Sequence, residues 1–244
     1  MLKLSHFLLI LLSAQCYAES DNEDIKEAAE SPLTIEADNG VKCDKEKQIC
    51  TAFENVIVTK GNFTIYCDSL TTHIRKNADG KMEMWKVVAT GNVHMVGAGE
   101  SEDAYAPMAE YNMDESKIIL LSNGKIKPIV VRDEYGLEAQ KVIVLIREED
   151  EKKSIDKIQA FEDVMLSAPE EIAFSEFADY NPESHIATLR QNVKIYKKEG
   201  KLEGSYAVID TLNKTSKIIR PSSRVKALIL PKNIDKEQKT LHGK

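Results

Sequence analysis

The sequence predicts an all-β protein whose antiparallel strands follow one another along a single axis around an enclosed or grooved apolar interior. Three observations predict it. Apolar residues come in short runs, such as Asn55-Val56-Ile57-Val58-Thr59, Asn62-Phe63-Thr64-Ile65-Tyr66, Asn92-Val93-His94-Met95-Val96, Val142-Ile143-Val144-Leu145-Ile146 and Asn192-Val193-Lys194-Ile195-Tyr196. Each is rich in β-branched or aromatic side chains and bounded by Gly, Asn, Asp or Lys, the signature of strand and turn. No stretch beyond the N-terminal segment keeps a 3.6-residue period for three turns. Finally, one unit recurs: a small or apolar residue, a polar turn, an Asn or Asp, then a strand. Its anchors at 55, 92, 124, 163 and 192 are spaced by 37, 32, 39 and 29 residues. Each spacing is read as about four strands of 5–6 residues. A lone hairpin pair cannot bury its apolar face, whereas stacked neighbours can.

The elements follow in chain order. Met1-Leu2-Lys3 is a short positive start, Phe7 to Leu12 an apolar stretch, and Cys16-Tyr17-Ala18 ends in residues a signal peptidase reads. Residues 1–18 are therefore expected to be a signal peptide cleaved near Ala18. A lipoprotein signal at Cys16 is the rival, disfavoured by Gln15 where a small residue is needed. Residues 19–31 are acidic and almost free of large apolar side chains, a flexible leader. A first β block is expected over 32–146 and a second, continuing the same structure, over 154–230. Between them the densely charged Arg147 to Lys153 reads as a solvated loop. Residues 231–244 read as a polar tail.

Composition narrows the function. The formal net charge of −7 argues against nucleic acid, which demands a basic surface. It does not argue against a phosphorylated amphiphile held by its acyl chains. Outside the first 18 residues no apolar run approaches the roughly 20 residues of a membrane-spanning helix. Catalytic signals are weak: His73, His94, His185 and His242 are scattered, and GxSxG, HExxH, GxxxxGK[ST] and GxGxxG are missing. No enzymatic activity, metal or cofactor is expected. Cys43 and Cys50 flank a six-residue hairpin loop, which makes a cross-strand bridge one reading; the other is that these two and Cys67 are small buried strand residues.

The order of phrases carries a resemblance. Leu33-Thr34-Ile35-Glu36-Ala37-Asp38, then Ala52 to Lys60, then Tyr66-Cys67-Asp68-Ser69-Leu70, resembles the opening of the OstA-like (LptA) family. Val87-Val88-Ala89-Thr90-Gly91-Asn92-Val93 is similar to its most recurrent motif, and Ser223 to Lys232 to its closing strand. The third copy departs, with Asn-Gly where Gly-Asn is usual, and the fourth has Glu-Asp. The resemblance implies a twisted β-jellyroll, open at both ends, that works in the periplasm in lipopolysaccharide transport and outer-membrane assembly. It further implies a head-to-tail homo-oligomer bridging an inner-membrane transporter complex and an outer-membrane insertion complex through edge strands. Ser31 to Ile35 and Lys226 to Leu230 are the candidate edges.

Alternation nominates the inward, lipid-contacting residues: Val56, Val58, Phe63, Ile65, Val93, Met95, Ile118, Leu120, Val142, Val144, Val164, Leu166, Val193 and Ile195. His94, between Val93 and Met95, is expected to face solvent. The alternatives are a secreted β-repeat binder of glycans or surfaces, for which a 6% aromatic content is thin, and another component of the same pathway.

Overall fold

The structure, a computed structural model, describes residues 33–229 other than 61–62, 98–101, 133, 150–151, 199, 214 and 220–225. The expected signal peptide, leader and polar tail, and the edge residues Ser31 and Leu230, lie outside the described residues. The described chain is all-β and antiparallel. Its strands are β1 (Thr34–Glu36), β2 (Val41–Asp44), β3 (Ile49–Lys60), β4 (Phe63–Lys76), β5 (Met82–Val96), β6 (Glu102–Asn112), β7 (Lys117–Leu121) and β8 (Ile129–Arg132). They continue with β9 (Tyr135–Glu138), β10 (Lys141–Glu149), β11 (Lys152–Ala168), β12 (Glu171–Asn181), β13 (Ile186–Lys197), β14 (Gly200–Asp210), β15 (Thr215–Ile219) and β16 (Lys226–Ile229). All belong to one sheet, and the path through it follows the order of the chain.

The short runs of the sequence are halves of long bent strands. β3, β4, β5, β11, β12 and β13 have 11 to 17 residues, not the expected five or six. The reason lies at the repeat anchors. Glu54–Asn55, Gly91–Asn92, Glu162–Asp163 and Gln191–Asn192 are consecutive left-handed residues, with φ between 45° and 75°. Each pair makes a bulge that shifts the register without ending the ladder. The strand bends there, and its inward side resumes beyond. Buried residues lie four apart across the bend in the strands that carry a pair: Ala52 to Val56, Ala89 to Val93, Ala160 to Val164, Leu189 to Val193. In the partner strands they lie three apart: Cys67 to Leu70, Ala106 to Ala109, Ser175 to Ala178.

The bends align into one corner that folds the sheet into two walls. The first wall comprises β2, β7, β10, β15 and the halves of the long strands that pair with them; the second comprises β1, β8, β9, β16 and the other halves. Buried residues of both walls form one core. The third repeat departs as its sequence does. At Ser122 to Pro128 a loop replaces the bend, with Gly124 left-handed at φ 83° and the Asn123 Oδ1 accepting the Lys125 and Ile126 N–H groups. One strand position is thus split into β7 and β8, and its neighbour into β9 and β10.

The charged segment over 147–153 is not the expected loop. Arg147↔Ser154, Glu148↔Lys153 and Glu149↔Lys152 are ladder pairs of the β10–β11 hairpin. No break separates the two β blocks there.

Candidate functional site

The interior is built of rows that cross every strand. On the second wall one inward row reads Ile35, Val58, Ile65, Met95, Ala104, Val130, Leu137, Leu166, Ala173, Ile195, Leu202, Ala227, each residue paired with the next. Leu137 and Leu166 form the central step. Every member is apolar. On the first wall the row beside the corner reads Ala52, Leu70, Ala89, Ala109, Leu120, Val142, Ala160, Ala178, Leu189, Ala207, Ile218. A further row toward the rim runs from Thr72 through Val87, Tyr111, Ile118, Val144, Ile158, Tyr180, Ala187 and Ile209 to Ser216. Small residues beside the corner let the walls converge there, and larger ones fill the space toward the mouth.

Nine of the fourteen inward candidates lie in these rows; Val56, Val93, Val164 and Val193 lie beside the corner on the second wall, and Phe63 lies at the start of β4 opposite Lys60. Val56, Val58, Val93, Met95, Ile118, Leu120, Val142, Val144, Val164, Val193 and Ile195 are buried, while Phe63, Ile65 and Leu166 are half-buried against the same core. The alanines beside the corner, Leu70, Leu137 and Leu189 were not among them. Reaching Ala52, Ala89, Ala160 or Leu189 by alternation from Val56, Val93, Val164 or Val193 requires knowing that two left-handed residues stand between them.

The corner itself is polar. Asn55 Nδ2 donates to Asp38 Oδ2 at 2.7 Å, Asn92 Nδ2 to Asp68 Oδ2 at 3.0 Å, and Asn192 Nδ2 to Glu176 Oε1 at 3.1 Å. Each of the three Asn anchors is therefore tied to an adjacent segment by an acidic partner. Asn tolerates the left-handed conformation because its short polar side chain bonds locally.

Cys43 and Cys50 face each other across the β2–β3 ladder and are joined by a disulfide. Cys67 is a free, buried thiol of the second wall. Burial, and behind it the Asp68 charge, pushes this thiol up to about 11. His94 faces outward but is half covered, stacked between Tyr66 at 5.7 Å and Tyr105 at 4.3 Å, with Nε2 2.6 Å from Asp103 Oδ1. This outward aromatic row is a feature a glycan binder would use. Its central ring has both faces covered by its neighbours. A hollow of about 240 Å³ lies beside it, lined by Ile129, Val131, Gly136, Met165 and Ser167 among others. It holds a few waters at about 30 Å³ each, not a multi-chain lipid.

At the mouth, opposite the corner, the lip of the second wall turns basic residues inward. Lys197 is in register with Glu171, and its Nζ lies 2.8 Å from Glu171 Oε2. The same Nζ donates to Ser216 Oγ at 3.3 Å. Among the described residues no group of three or more His, Cys, Asp or Glu could hold a metal ion.

The arrangement lines both walls with apolar side chains along the described strands. Residues 34–128 match the family described as LptA/(LptD N-terminal domain) LPS transport protein. Comparison with curated proteins gives no match. Among solved structures, the crystal structure of LptH, the LptA homologous periplasmic component of the lipopolysaccharide transport device from Pseudomonas aeruginosa, is similar. The alignment covers 84% of this chain and 99% of that one, at 14% identity and a TM-score of 0.24. The matched residues run from β1 to the loop that interrupts the third corner. Over residues 34–128 the chain is thus similar to the LptA/(LptD N-terminal domain) family of lipopolysaccharide-transport proteins.

Proposed function

We propose that the chain carries lipopolysaccharide across the periplasm, holding the lipid A acyl chains between its two walls and catalysing no reaction. The observation that carries this reading is the unbroken apolar row from Ile35 to Ala227 on the second wall, facing the first wall's rows. Each methylene kept from water contributes about 0.8 kcal/mol, so a multi-chain lipid gains tens of kcal/mol from such a path. The family's transport description over residues 34–128 supports the same cargo.

The ends of the sheet support a bridge. Among the described residues β1 and β2 each pair only with β3, and β15 and β16 only with β14, leaving strand edges at both ends. Such edges invite pairing with another chain. In this reading copies join head to tail, and the terminal copies meet the inner-membrane transporter complex and the outer-membrane insertion complex. The cleaved signal peptide and acidic leader belong to the same proposal, as export to the periplasm requires an address.

Face-selective photo-crosslinking tests it. A photoreactive residue at the inward Ile65 or Leu166 should crosslink to lipopolysaccharide. The same residue at their outward neighbours Tyr66 and Ser167 should not. Equal labelling of both faces would refute an interior route.

A further inference from the structure

The two walls meet at the corner by covalent continuity. Among the described residues no backbone ladder joins them on the opposite side. The contacts that close this mouth therefore decide whether a bulky amphiphile loads sideways or threads in from an end. Lys197 stands at the lip of the second wall, in register with Gly200 on β14 and Glu171 on β12. Its ammonium bonds Ser216 Oγ at 3.3 Å. Ser216 belongs to β15, which pairs only with the first-wall half of β14, opposite Ile209. This hydrogen bond therefore crosses the mouth. Glu171, at 2.8 Å, holds the same ammonium on the lip from its own wall.

A second cation is placed alike. Arg132, at the rim end of β8, alternates with the buried Val130 and so turns toward the interior. Its charge bears on the phenol of Tyr180, which lies in the same first-wall row as Ser216. Lys197 and Arg132 thus both stand on the second wall's lip, and Ser216 and Tyr180 share one row of the first wall.

We propose that Lys197, positioned by Glu171 and bonded to Ser216, is a latch that holds the mouth shut, and that the amphiphile loads sideways through the mouth when the latch opens. This inference rests on the carrier reading above and adds the route. One hydrogen bond from a charged donor joins the walls here, so its loss makes opening easier without removing apolar contacts. The ammonium released from Ser216 keeps Glu171 and gains a free donor direction toward the anionic head of the incoming lipid.

The test uses fluorescently labelled lipopolysaccharide and the purified protein, with loading followed in time. Ser216→Ala should load about five- to tenfold faster than wild type, the effect of losing a bond of this class. A second variant carries Lys197→Cys and Ser216→Cys. Joined after folding by a short bismaleimide, it should load at least tenfold more slowly than the same protein left unjoined. Loading of the joined protein at the unjoined rate would overturn the sideways route, even with the carrier reading intact. A wild-type protein that binds no labelled lipopolysaccharide at all would overturn the carrier reading, and the latch with it.

Discussion

The residues that shape this molecule most are not its largest ones but the left-handed pairs at the corner. Gly91 has φ +75°, and a Cβ there would lie 2.2 Å from Asp68 Oδ2. Gly124 has φ +83° with nothing within 4 Å. Both substitutions to Ala incur the left-handed penalty of about 1–2 kcal/mol. Gly91→Ala must also displace the side chain that receives Asn92. Urea unfolding should therefore rank Gly91→Ala as clearly more destabilising than Gly124→Ala; equal midpoints would contradict the corner geometry. The inward thiol offers a second residue-scale test. With its pKa at about 11, Cys67 should resist maleimide in the folded protein at neutral pH and react fully once unfolded.

At the scale of elements, the hairpin rims of the first wall carry polar clamps with a defined pH response. Arg75 binds Asp114 with two hydrogen bonds of 2.7 Å and reaches Glu83 through Nε at 2.7 Å. The guanidinium holds the Asp114 carboxyl below its ordinary value. In the β14–β15 turn the Asn213 backbone N–H, then its side-chain amide, lower Asp210 likewise. A carboxyl depressed in the folded state stabilises fully above its unfolded pKa and loses that stabilisation as pH falls through the folded one. Acidification from about pH 5 to 3 should therefore lower the urea midpoint, and Arg75→Met should flatten that acid limb. A limb of unchanged slope would remove Arg75 as its cause. The Cys43–Cys50 disulfide closes a short loop, with a sequence separation of 7, at the β2 edge. Its reduction should cost about 2 kcal/mol at most and be felt as faster amide exchange over β2 and the start of β3. Slowed exchange elsewhere, with no change at that edge, would contradict this placement.

Taken whole, the molecule is one ladder folded once, and its properties follow from continuity. β10 and β11 pair straight through the charged segment where two blocks were expected to part. A single cooperative unfolding transition is the expected result, measured by calorimetry alongside a spectroscopic probe. Two resolved transitions would revive a division into blocks. The described inward residues of both walls pack as one core, so in the proposed reading a lipid parts the walls and trades side-chain contacts for acyl contacts of similar chemistry.

How much of this could be read in advance divides along a physical line. Alternation is a local property, so the chain alone specified strands, turns, an antiparallel class and the inward side of each run, including Val56, Val93 and Ile195. The repeat anchors were equally visible, because Asn and Gly are the residues that accept a left-handed backbone. What those anchors do was not local. Two left-handed residues read as a turn that ends a strand; only the neighbouring ladder, shifted by a residue and then resumed, makes them a bend within one. Likewise the charged residues at 147–149 and 152–153 read as a solvated loop, and pairing across the hairpin decided that they are strand. Lys197 and Ser216 show no mutual signal in the sequence, because they meet only after the sheet has folded over its corner and brought the two lips together.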